Sequence, residues 1–264
     1  MGKAGLCRII IIAKNSKIFH KNKGIYRMNL ILCGGGWAEK TVIPNKLFES
    51  LIDAAKPILY IPLARDRGED NYDSCKTWLT SELKDIKHGE IVMLRSASEI
   101  ADKNVFDFSG VFIGGGNTYK LLKELKESST FEWLKNYLQT DGVIYGCSAG
   151  ACLCGHDIDS CLYMDPNDVR LLDVTGLDAA LGFSIAAHYT NGDKDETELA
   201  TKYLTEYSKK TPVLALPEED SLYINDDLVK VIGTRPYYVF NKGVHAKFQP
   251  EIEYTVEEFQ NLTI

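Results

Sequence analysis

Residues 142–155 read GVIYGCSAGACLCG and combine an apolar run, a G-x-S-x-G pattern and a run of small residues. The apolar run predicts a short buried strand, and the small residues after it predict the start of a helix. Gly146 and Gly150 bracket Ser148, as a sharp strand-to-helix turn requires, because larger neighbours would clash there. The stretch therefore predicts an α/β fold with Ser148 at the carboxyl end of a strand.

The regions on both sides repeat this alternation of short apolar runs and longer amphipathic stretches. Strands are predicted at 28–33, 57–62, 90–94, 110–113 and 142–145, and helices at 46–55, 73–83, 118–126 and 131–138. Such alternation predicts a mainly parallel sheet with helices on both faces. Beyond residue 155, a strand is predicted at 183–187, a helix at 194–208, and antiparallel strands at one edge over 213–216, 221–224, 228–232 and 237–240.

The charge of the chain is unevenly distributed. Of the 264 residues, 1–27 contain seven Lys and Arg and no acidic residue, so the rest carries a formal charge of −14. We expect 1–27 to be an extension outside the fold, disordered or unrelated to it, and 28–264 to form a single domain. An acidic body disfavours nucleic acid and anionic membranes as partners, because both require a basic surface.

Two further features bear on location. No stretch reaches the ~20 apolar residues that a membrane-spanning helix needs. The seven cysteines are odd in number and irregularly spaced, in a chain large enough to fold without disulfides. This usage is typical of a reducing compartment and predicts a cytoplasmic protein.

Three glycine-containing loops follow predicted strands, at the sheet edge where α/β proteins bind ligands: Gly34–Gly36, Gly114–Gly116 and Gly146–Gly150. Neither triple glycine completes a dinucleotide fingerprint, since Glu39 and Tyr119 stand where the third glycine belongs, and the sequence contains no P-loop. No nucleotide cofactor is therefore predicted. Gly34–Gly36 favours a plain tight turn, whereas Gly114–Gly116 favours a backbone that faces a ligand beside the Ser148 loop.

A serine hydroxyl becomes a nucleophile only when a base accepts its proton and a third group orients that base. Four of the five histidines are badly placed for this, in the basic extension, at the wrong strand end, too near Ser148 on its helix, or in a late turn: His20, His88, His156 and His245. His188 follows the strand at 183–187 and is the candidate base. Glu218 comes first after the run at 213–216 and is the candidate orienting acid, with Glu219 as the alternative.

An oxyanion intermediate needs two backbone amides about 3 Å from the developing charge. The Ala149 amide is one candidate, and an amide of Gly115 or Gly116 is the other. Cys147 is a rival nucleophile, but a motif centred on it requires glycine at 145 and 149, which are Tyr145 and Ala149. We expect Cys147 to be a buried hydrophobic residue.

Potential metal ligands also lie near the Ser148 loop: Cys152, Cys154, His156 and Cys161. On a helix, Cys152 and Cys154 would point about 200° apart, which is incompatible with a shared tetrahedral ion. We predict neither a metal site nor any other cofactor.

The segments FIGGGNTY at 112–119 and GCSAGA at 146–151, with His188 and the Glu218 segment, resemble the dipeptidase E and cyanophycinase family of serine peptidases. The resemblance extends roughly over residues 28–232. It implies a fold similar to class I glutamine amidotransferases and a Ser-His-Glu triad.

By the same resemblance, the triad is Ser148, His188 and Glu218. The resemblance also implies that the amides of Gly116 and Ala149 form the oxyanion hole.

The resemblance further implies a substrate class. Dipeptidase E cleaves dipeptides with an N-terminal aspartate and cyanophycinase cleaves an aspartyl-arginine polymer, so a cation is expected in the pocket. Arg170 is the only arginine between Ser148 and His188, although its segment differs from the substrate-binding stretch of either subfamily. We therefore expect a monomer or homodimer that hydrolyses small peptides, with Gly115, Asn117 and Arg170 as substrate contacts. The alternatives are a Cys147-dependent amidase and a non-catalytic binding domain with the same fold.

Overall fold

The computed structural model describes residues 28–65, 70–226 and 228–262, and the basic extension 1–27 lies outside the described residues. The strands are β1 (Asn29–Cys33), β2 (Ile58–Ile61), β3 (Ile91–Met93), β4 (Gly110–Ile113), β5 (Val143–Cys147), β6 (Ser184–Ala186), β7 (Val213–Ala215), β8 (Ser221–Asn225), β9 (Leu228–Ile232), β10 (Tyr237–Asn241), β11 (Val244–Phe248) and β12 (Glu253–Thr255). The helices are α1 (Val42–Leu51), α2 (Asp70–Glu82), α3 (Thr118–Lys126), α4 (Thr130–Tyr137), α5 (Ala149–Leu153), α6 (Lys194–Tyr207) and α7 (Val256–Gln260).

The main sheet has eight strands in the order β12-β9-β8-β1-β5-β4-β2-β3. From β1 to β3 the neighbouring strands are parallel, whereas β8, β9 and β12 pair antiparallel along one side. The predicted α/β class, with a mainly parallel sheet and an antiparallel edge near the C-terminus, is confirmed.

Helices cover both faces of the main sheet, because successive strand residues point to opposite sides. Leu30 and Leu32 of β1 belong to a core cluster that includes residues of α3, α4, α5 and α7. Ile31 and Cys33 face the other side, where they join Phe48 of α1 and residues of α2. All four of these β1 side chains are fully buried, as expected of a central parallel strand.

A second sheet, in the order β11-β10-β7-β6, corrects one prediction. The runs at 221–224 and 228–232 do lie at the antiparallel edge of the main sheet, but those at 213–216 and 237–240 belong to the second sheet. Strand β7 pairs parallel with β6, and β10 pairs antiparallel with β7 and β11. The composition of a short run does not determine which long-range partner it pairs with, so the sequence could not separate the two sheets.

The first residues of helices α3 and α1 are set by local sequence signals. Helix α3 begins where predicted, since the Asn117 side chain accepts a hydrogen bond from the Lys120 amide and caps it. Helix α1 begins at Val42, four residues before the prediction, with Pro44 in its first turn, where a missing amide costs nothing. Within the described ranges, no helix is both long and apolar enough to cross a membrane.

Candidate active site

Strands from both sheets end at the candidate site. In the main sheet β5 lies between β1 and β4, so the Ser148 loop is flanked by Gly34–Gly36 on one side and Gly114–Gly116 on the other. In the second sheet, β6 and β7 are parallel neighbours, and the segments that follow them carry His188 and Glu218. The site thus forms where carboxyl ends of strands from the two sheets meet, as open α/β folds favour.

Ser148 occupies a strained turn between β5 and α5, with φ 53° and ψ −110°. Its amide donates to the Cys33 carbonyl at 3.1 Å. A Cβ placed on Gly146 would lie 2.5 Å from the Gly150 carbonyl oxygen, and one on Gly150 would lie 2.3 Å from that of Ile113. The two glycines of the G-x-S-x-G pattern are therefore required by close backbone approaches, and the turn presents Ser148 at the strand end.

His188 lies against Ser148, with 2.8 Å between Ser148 Oγ and His188 Nε2. Its backbone is also left-handed, with φ 55°, and its amide donates to the Gly34 carbonyl at 2.8 Å. Gly35 lies beside the imidazole ring, because a Cβ added there would be 2.2 Å from His188 Cε1. The loop after β1 therefore supports the ring that contacts the serine.

Glu218 contacts the other nitrogen of the ring, with 2.8 Å between its Oε1 and His188 Nδ1. Its second oxygen, Oε2, accepts a hydrogen bond from Lys40 Nζ at 2.6 Å. Partial burial acts to raise the pKa of Glu218, but the hydrogen bonds and charges of Lys40 and His188 hold that pKa below its usual value. The carboxylate is therefore kept ionised between two cationic or potentially cationic groups.

Glu219, the alternative acid, is engaged elsewhere. Its Oε2 accepts from Asn191 Nδ2 at 3.1 Å and pairs with Arg235 at 3.2 Å. Asn191 Oδ1 in turn accepts the Glu218 amide at 2.8 Å. The imidazole contact is thus made by Glu218, while Glu219 and Asn191 hold the loop that carries it.

The Gly114–Gly116 loop lies on the other side of Ser148. A Cβ on Gly115 would lie 3.1 Å from Ser148 Cβ, and one on Gly116, where φ is +138°, would lie 2.4 Å from the Ala64 carbonyl oxygen. Among the described residues, the backbone amides of Gly115, Gly116 and Ala149 have no hydrogen-bond acceptor. Gly115 lies against Ser148 and Ala149 follows it in the chain, so amides near the serine are available to a ligand.

Residues 30–232 match the model of Peptidase family S51. The chain belongs to this family. The resemblance to dipeptidase E drawn from the glycine motifs is therefore confirmed.

Individual relatives agree with this assignment to family S51. An uncharacterised peptidase of Pasteurella multocida is 31% identical over 140 residues, covering 52% of this chain and 66% of that protein. Peptidase E of Citrobacter koseri is 27% identical over 226 residues, covering 83% and 93%. The crystal structure of a peptidase from an acI-B1 Actinobacterium covers 87% of this chain and 98% of its own, with 19% identity and a TM-score of 0.69, so the fold is shared. The chain spans 58 to 66% of the length of the first curated relatives it matches.

The structure gives Asn117 of the S51 glycine motif a structural position. Its side chain accepts from the Lys120 amide and donates to the Pro166 carbonyl, both at 2.9 Å, and its own amide donates to the Ala64 carbonyl at 2.8 Å. Its hydrogen-bonding groups are occupied by capping α3 and holding neighbouring loops. One Nδ2 hydrogen and one Oδ1 lone pair remain for the predicted substrate contact, which stays a prediction.

Arg170 is not brought to the triad by any contact among the described residues. Its side chain is exposed, and its backbone is left-handed with φ 52°. Its segment does approach the Gly114–Gly116 loop, because Asp165 accepts hydrogen bonds from the amide and hydroxyl of Thr118 at 2.8 and 2.6 Å. These contacts bring Asp165, and not Arg170 itself, to the residue that follows the Gly114–Gly116 loop and Asn117, so the predicted substrate contact by Arg170 stays a prediction.

Cys147, the rival nucleophile, is buried as predicted, on the α1 and α2 face of the sheet. Its hydrogen bond with Cys33 and its burial raise the pKa of the Cys147 thiol well above its usual value. Because the thiolate is the reactive form, this environment disfavours Cys147 as a nucleophile. Within the described part of the chain, no group of three His, Cys, Asp or Glu side chains could hold a metal ion.

Sequence reasoning missed four residues that complete the site: Gly35, Lys40, Asn191 and Arg235. Gly35 does carry a signal, a glycine run directly after a strand, but the same run also fits a plain tight turn. Lys40 lies 178 residues before Glu218, Arg235 lies 16 residues after Glu219, and neither belongs to a local motif. Only the folded strands bring these charges together.

Proposed function

We propose that the protein is a serine peptidase that hydrolyses small peptides through an acyl-enzyme. Ser148 acts as nucleophile, His188 as general base and then acid, and Glu218 as the group that orients His188. The observation that carries this proposal is the pair of 2.8 Å contacts that run from Ser148 Oγ through the imidazole to Glu218 Oε1. These distances lie within the reach that base catalysis requires.

The geometry supports each proton and electron-pair movement. Ser148 Oγ attacks the scissile carbonyl carbon while its proton passes to His188 Nε2, and Glu218 stabilises the imidazolium through Nδ1. The amides of Gly116 and Ala149 donate to the developing oxyanion. His188 then protonates the departing amine, the C–N bond breaks, and water hydrolyses the acyl-enzyme by the same proton relay.

Backbone strain supports a catalytic role over binding alone. Ser148 and His188 are non-glycine residues held at φ 53° and 55°, conformations that cost of order 1–3 kcal/mol each. The unusual ψ of −110° at Ser148 is also typical of a strained strand-to-helix turn that presents a nucleophile. A binding role alone gives no reason for a serine in that turn to contact an imidazole at 2.8 Å.

Substrate preference depends on which cations can reach the pocket. Lys40 and Arg235 are paired with Glu218 and Glu219, so neither offers an uncommitted charge. Arg65 is exposed and follows Ala64, whose carbonyl lies against Gly116. The candidates to recognise an N-terminal aspartate are therefore Arg65, next to Ala64, and Arg170, five residues after the Asp165 that contacts Thr118.

A dipeptide panel tests the function. The full chain should hydrolyse dipeptides, Ser148→Ala should lower kcat by at least about 10³-fold, and Cys147→Ala should retain activity. No hydrolysis across the panel would favour the binding domain. Activity that survives Ser148→Ala and disappears in Cys147→Ala would favour the amidase.

Matched Asp-Leu and Asn-Leu substrates test the aspartate preference. If an arginine recognises the side-chain carboxylate, Arg65→Gln or Arg170→Gln should raise KM for Asp-Leu about tenfold and leave Asn-Leu unchanged. Equal rates for both substrates in the unaltered protein would remove the aspartate preference and leave the peptidase proposal standing.

The cysteines support a reducing, cytoplasmic location. Six cysteines in the described ranges are buried and free of disulfides. Oxidising compartments favour disulfide pairing, so we expect the protein in the cytoplasmic fraction of its cell. Recovery in an oxidising compartment with disulfides formed would contradict this.

A further inference from the structure

Lys40 is the cation that contacts the triad acid, and it comes from a part of the chain that the proposed mechanism does not use. It lies in a short 3-10 turn, Ala38–Thr41, just after the Gly34–Gly36 loop. Its Nζ lies 2.6 Å from Glu218 Oε2 and 3.7 Å from Glu219 Oε1. The Lys40 and Glu218 side chains are 28% and 24% exposed, so this ion pair is screened less than a fully exposed one.

Gly36 makes this approach possible. A Cβ on Gly36 would lie 2.8 Å from Lys40 Cβ and 2.3 Å from the Glu218 carbonyl oxygen. The glycine loop therefore lets Lys40 reach the same carboxylate that contacts His188. One oxygen of Glu218 is fixed by His188 and the other by Lys40, which leaves the carboxylate one orientation.

The charge of Lys40 affects proton transfer as well as geometry. An unpaired carboxylate beside an imidazole favours the imidazolium, which would leave the resting base protonated at higher pH. Lys40 offsets part of that negative charge and adds a positive charge behind it. The hydrogen bond with Glu218 raises the pKa of Lys40 despite some opposing burial, so the cation persists over the working pH range.

We infer that Lys40 is a positioning residue of this site: it fixes the Glu218 carboxylate and, by offsetting its charge, places the acid limb of activity at lower pH. This inference rests on the proposed function. It assigns Lys40 no contact with substrate.

Other titratable groups lie near Glu218 and His188, and their effects on the pH dependence must be distinguished from the effect of Lys40. They lie on the β7–β8 loop, on the turn after β9, on β1 and on β5: Glu219, Asp220, Arg235, Cys33, whose pKa is lowered to about 7 by its hydrogen bond with Cys147, and Cys147. Burial raises the pKa of Asp220 to about 6, but its hydrogen bonds are to backbone amides of Thr234 and Arg235. Because Asp220 is unchanged in Lys40 variants, comparing variants cancels its titration.

The first experiment measures kcat/KM against pH for the full chain, Lys40→Met and Lys40→Arg. Lys40→Met should move the midpoint of the acid limb upward by about 0.5–1 pH unit. The plateau should fall about tenfold, because Glu218 loses one of its two anchors. Lys40→Arg keeps the charge and should keep the acid limb of the unaltered protein.

Lys46→Met is the matched control, because Lys46 pairs with Glu49 at 3.1 Å on α1 and makes no ion pair with the triad acid. It should leave both limb and plateau unchanged. If Lys40→Met keeps the original acid limb, or if Lys46→Met shifts it equally, the inference is wrong. If Lys40→Met fails to fold, as judged by circular dichroism, Lys40→Gln takes its place.

A second readout does not depend on activity. The ring protons of His188, assigned with a His188→Gln variant, are titrated by NMR in the unaltered and Lys40→Met proteins. The midpoint should rise by the same 0.5–1 pH unit in Lys40→Met. A rise without any peptide hydrolysis would overturn the proposed function and keep the electrostatic role of Lys40, whereas hydrolysis with an unchanged midpoint would do the reverse.

Discussion

Two triple-glycine loops flank the same serine and differ in what they contact. Gly34–Gly36 packs against the His188 ring and the backbone of Glu218, whereas Gly114–Gly116 packs against Ser148 and Ala64. The first loop packs against the proposed base and orienting acid, and the second has backbone amides at Gly115 and Gly116 with no acceptor among the described residues. Identical residues therefore make different contacts, which depend on whether the loop follows β1 or β4, the two neighbours of β5.

The largest expected effect comes from filling the first loop. Gly35→Ala would place a methyl group 2.2 Å from the His188 ring, at a backbone φ of +113°. The ring must move away from Ser148, so we expect kcat/KM to fall about 10³-fold, the size of a lost general base. Steady-state kinetics on a cleaved dipeptide measures this.

Gly182→Ala controls for backbone strain alone. Gly182 has φ +85°, and a methyl group added there would have no atom within 4 Å, so alanine should cost stability of about 1 kcal/mol and no activity. If Gly35→Ala is no more damaging to kcat/KM than Gly182→Ala, the support that this loop gives to His188 is refuted.

A smaller effect is expected at the second loop. Gly116→Ala would place a Cβ 2.4 Å from the Ala64 carbonyl oxygen, which should displace the Gly116 amide from the oxyanion that we propose it stabilises. Loss of one oxyanion donor should lower kcat about 10²-fold with KM nearly unchanged. A variant whose KM rises while kcat stays constant would show that this loop binds ground-state substrate instead.

The smallest effect on activity is expected at Asp220, which supports the first loop by accepting the Gly34 amide at its carbonyl, 3.0 Å away. Its side chain is fully buried, and burial raises its pKa to about 6. Since the folded-state pKa lies above the unfolded value, the folded protein binds the extra proton, and stability is lost as pH rises through 6. Between pH 5 and pH 7, the ionisation of Asp220 should lower the free energy of unfolding by about 1 kcal/mol.

Asp220→Asn keeps an acceptor for the Thr234 and Arg235 amides but cannot ionise. Urea unfolding gives the free energy of unfolding at pH 5 and at pH 7. From pH 5 to pH 7, this free energy should fall by about 1 kcal/mol less in Asp220→Asn than in the unaltered protein. An equal loss in both proteins would mean that Asp220 does not titrate in this range.

The fold is predictable where signals are local. Asn117 caps α3, and the apolar spacing after it predicts the helix with its observed bounds. The start of α1 is not predicted by apolar spacing alone, because the helix begins before Pro44 rather than after it. The second sheet is not predictable, since pairing β6 with β7 depends on contacts about 30 residues apart and not on the composition of either strand.

The site, like the fold, is predictable where its contacts are local and not where they depend on distant parts of the chain. The arrangement around Ser148 is predictable from Gly146 and Gly150, whose close approaches are built into a local turn. The contacts of Lys40 and Arg235 are not, because each pairs with a glutamate brought near by the junction of two sheets. The local sequence around a charged residue does not show which ion pair it forms, because the fold determines its partner.

The most direct test of Ser148 as the nucleophile is the site of covalent labelling by a fluorophosphonate probe, read by peptide mass spectrometry. We expect a single adduct on Ser148, kept in Cys147→Ala, strongly slowed in His188→Gln and absent in Ser148→Ala. An adduct that forms at the same rate in Ser148→Ala, or iodoacetamide inactivation that requires Cys147, would contradict it.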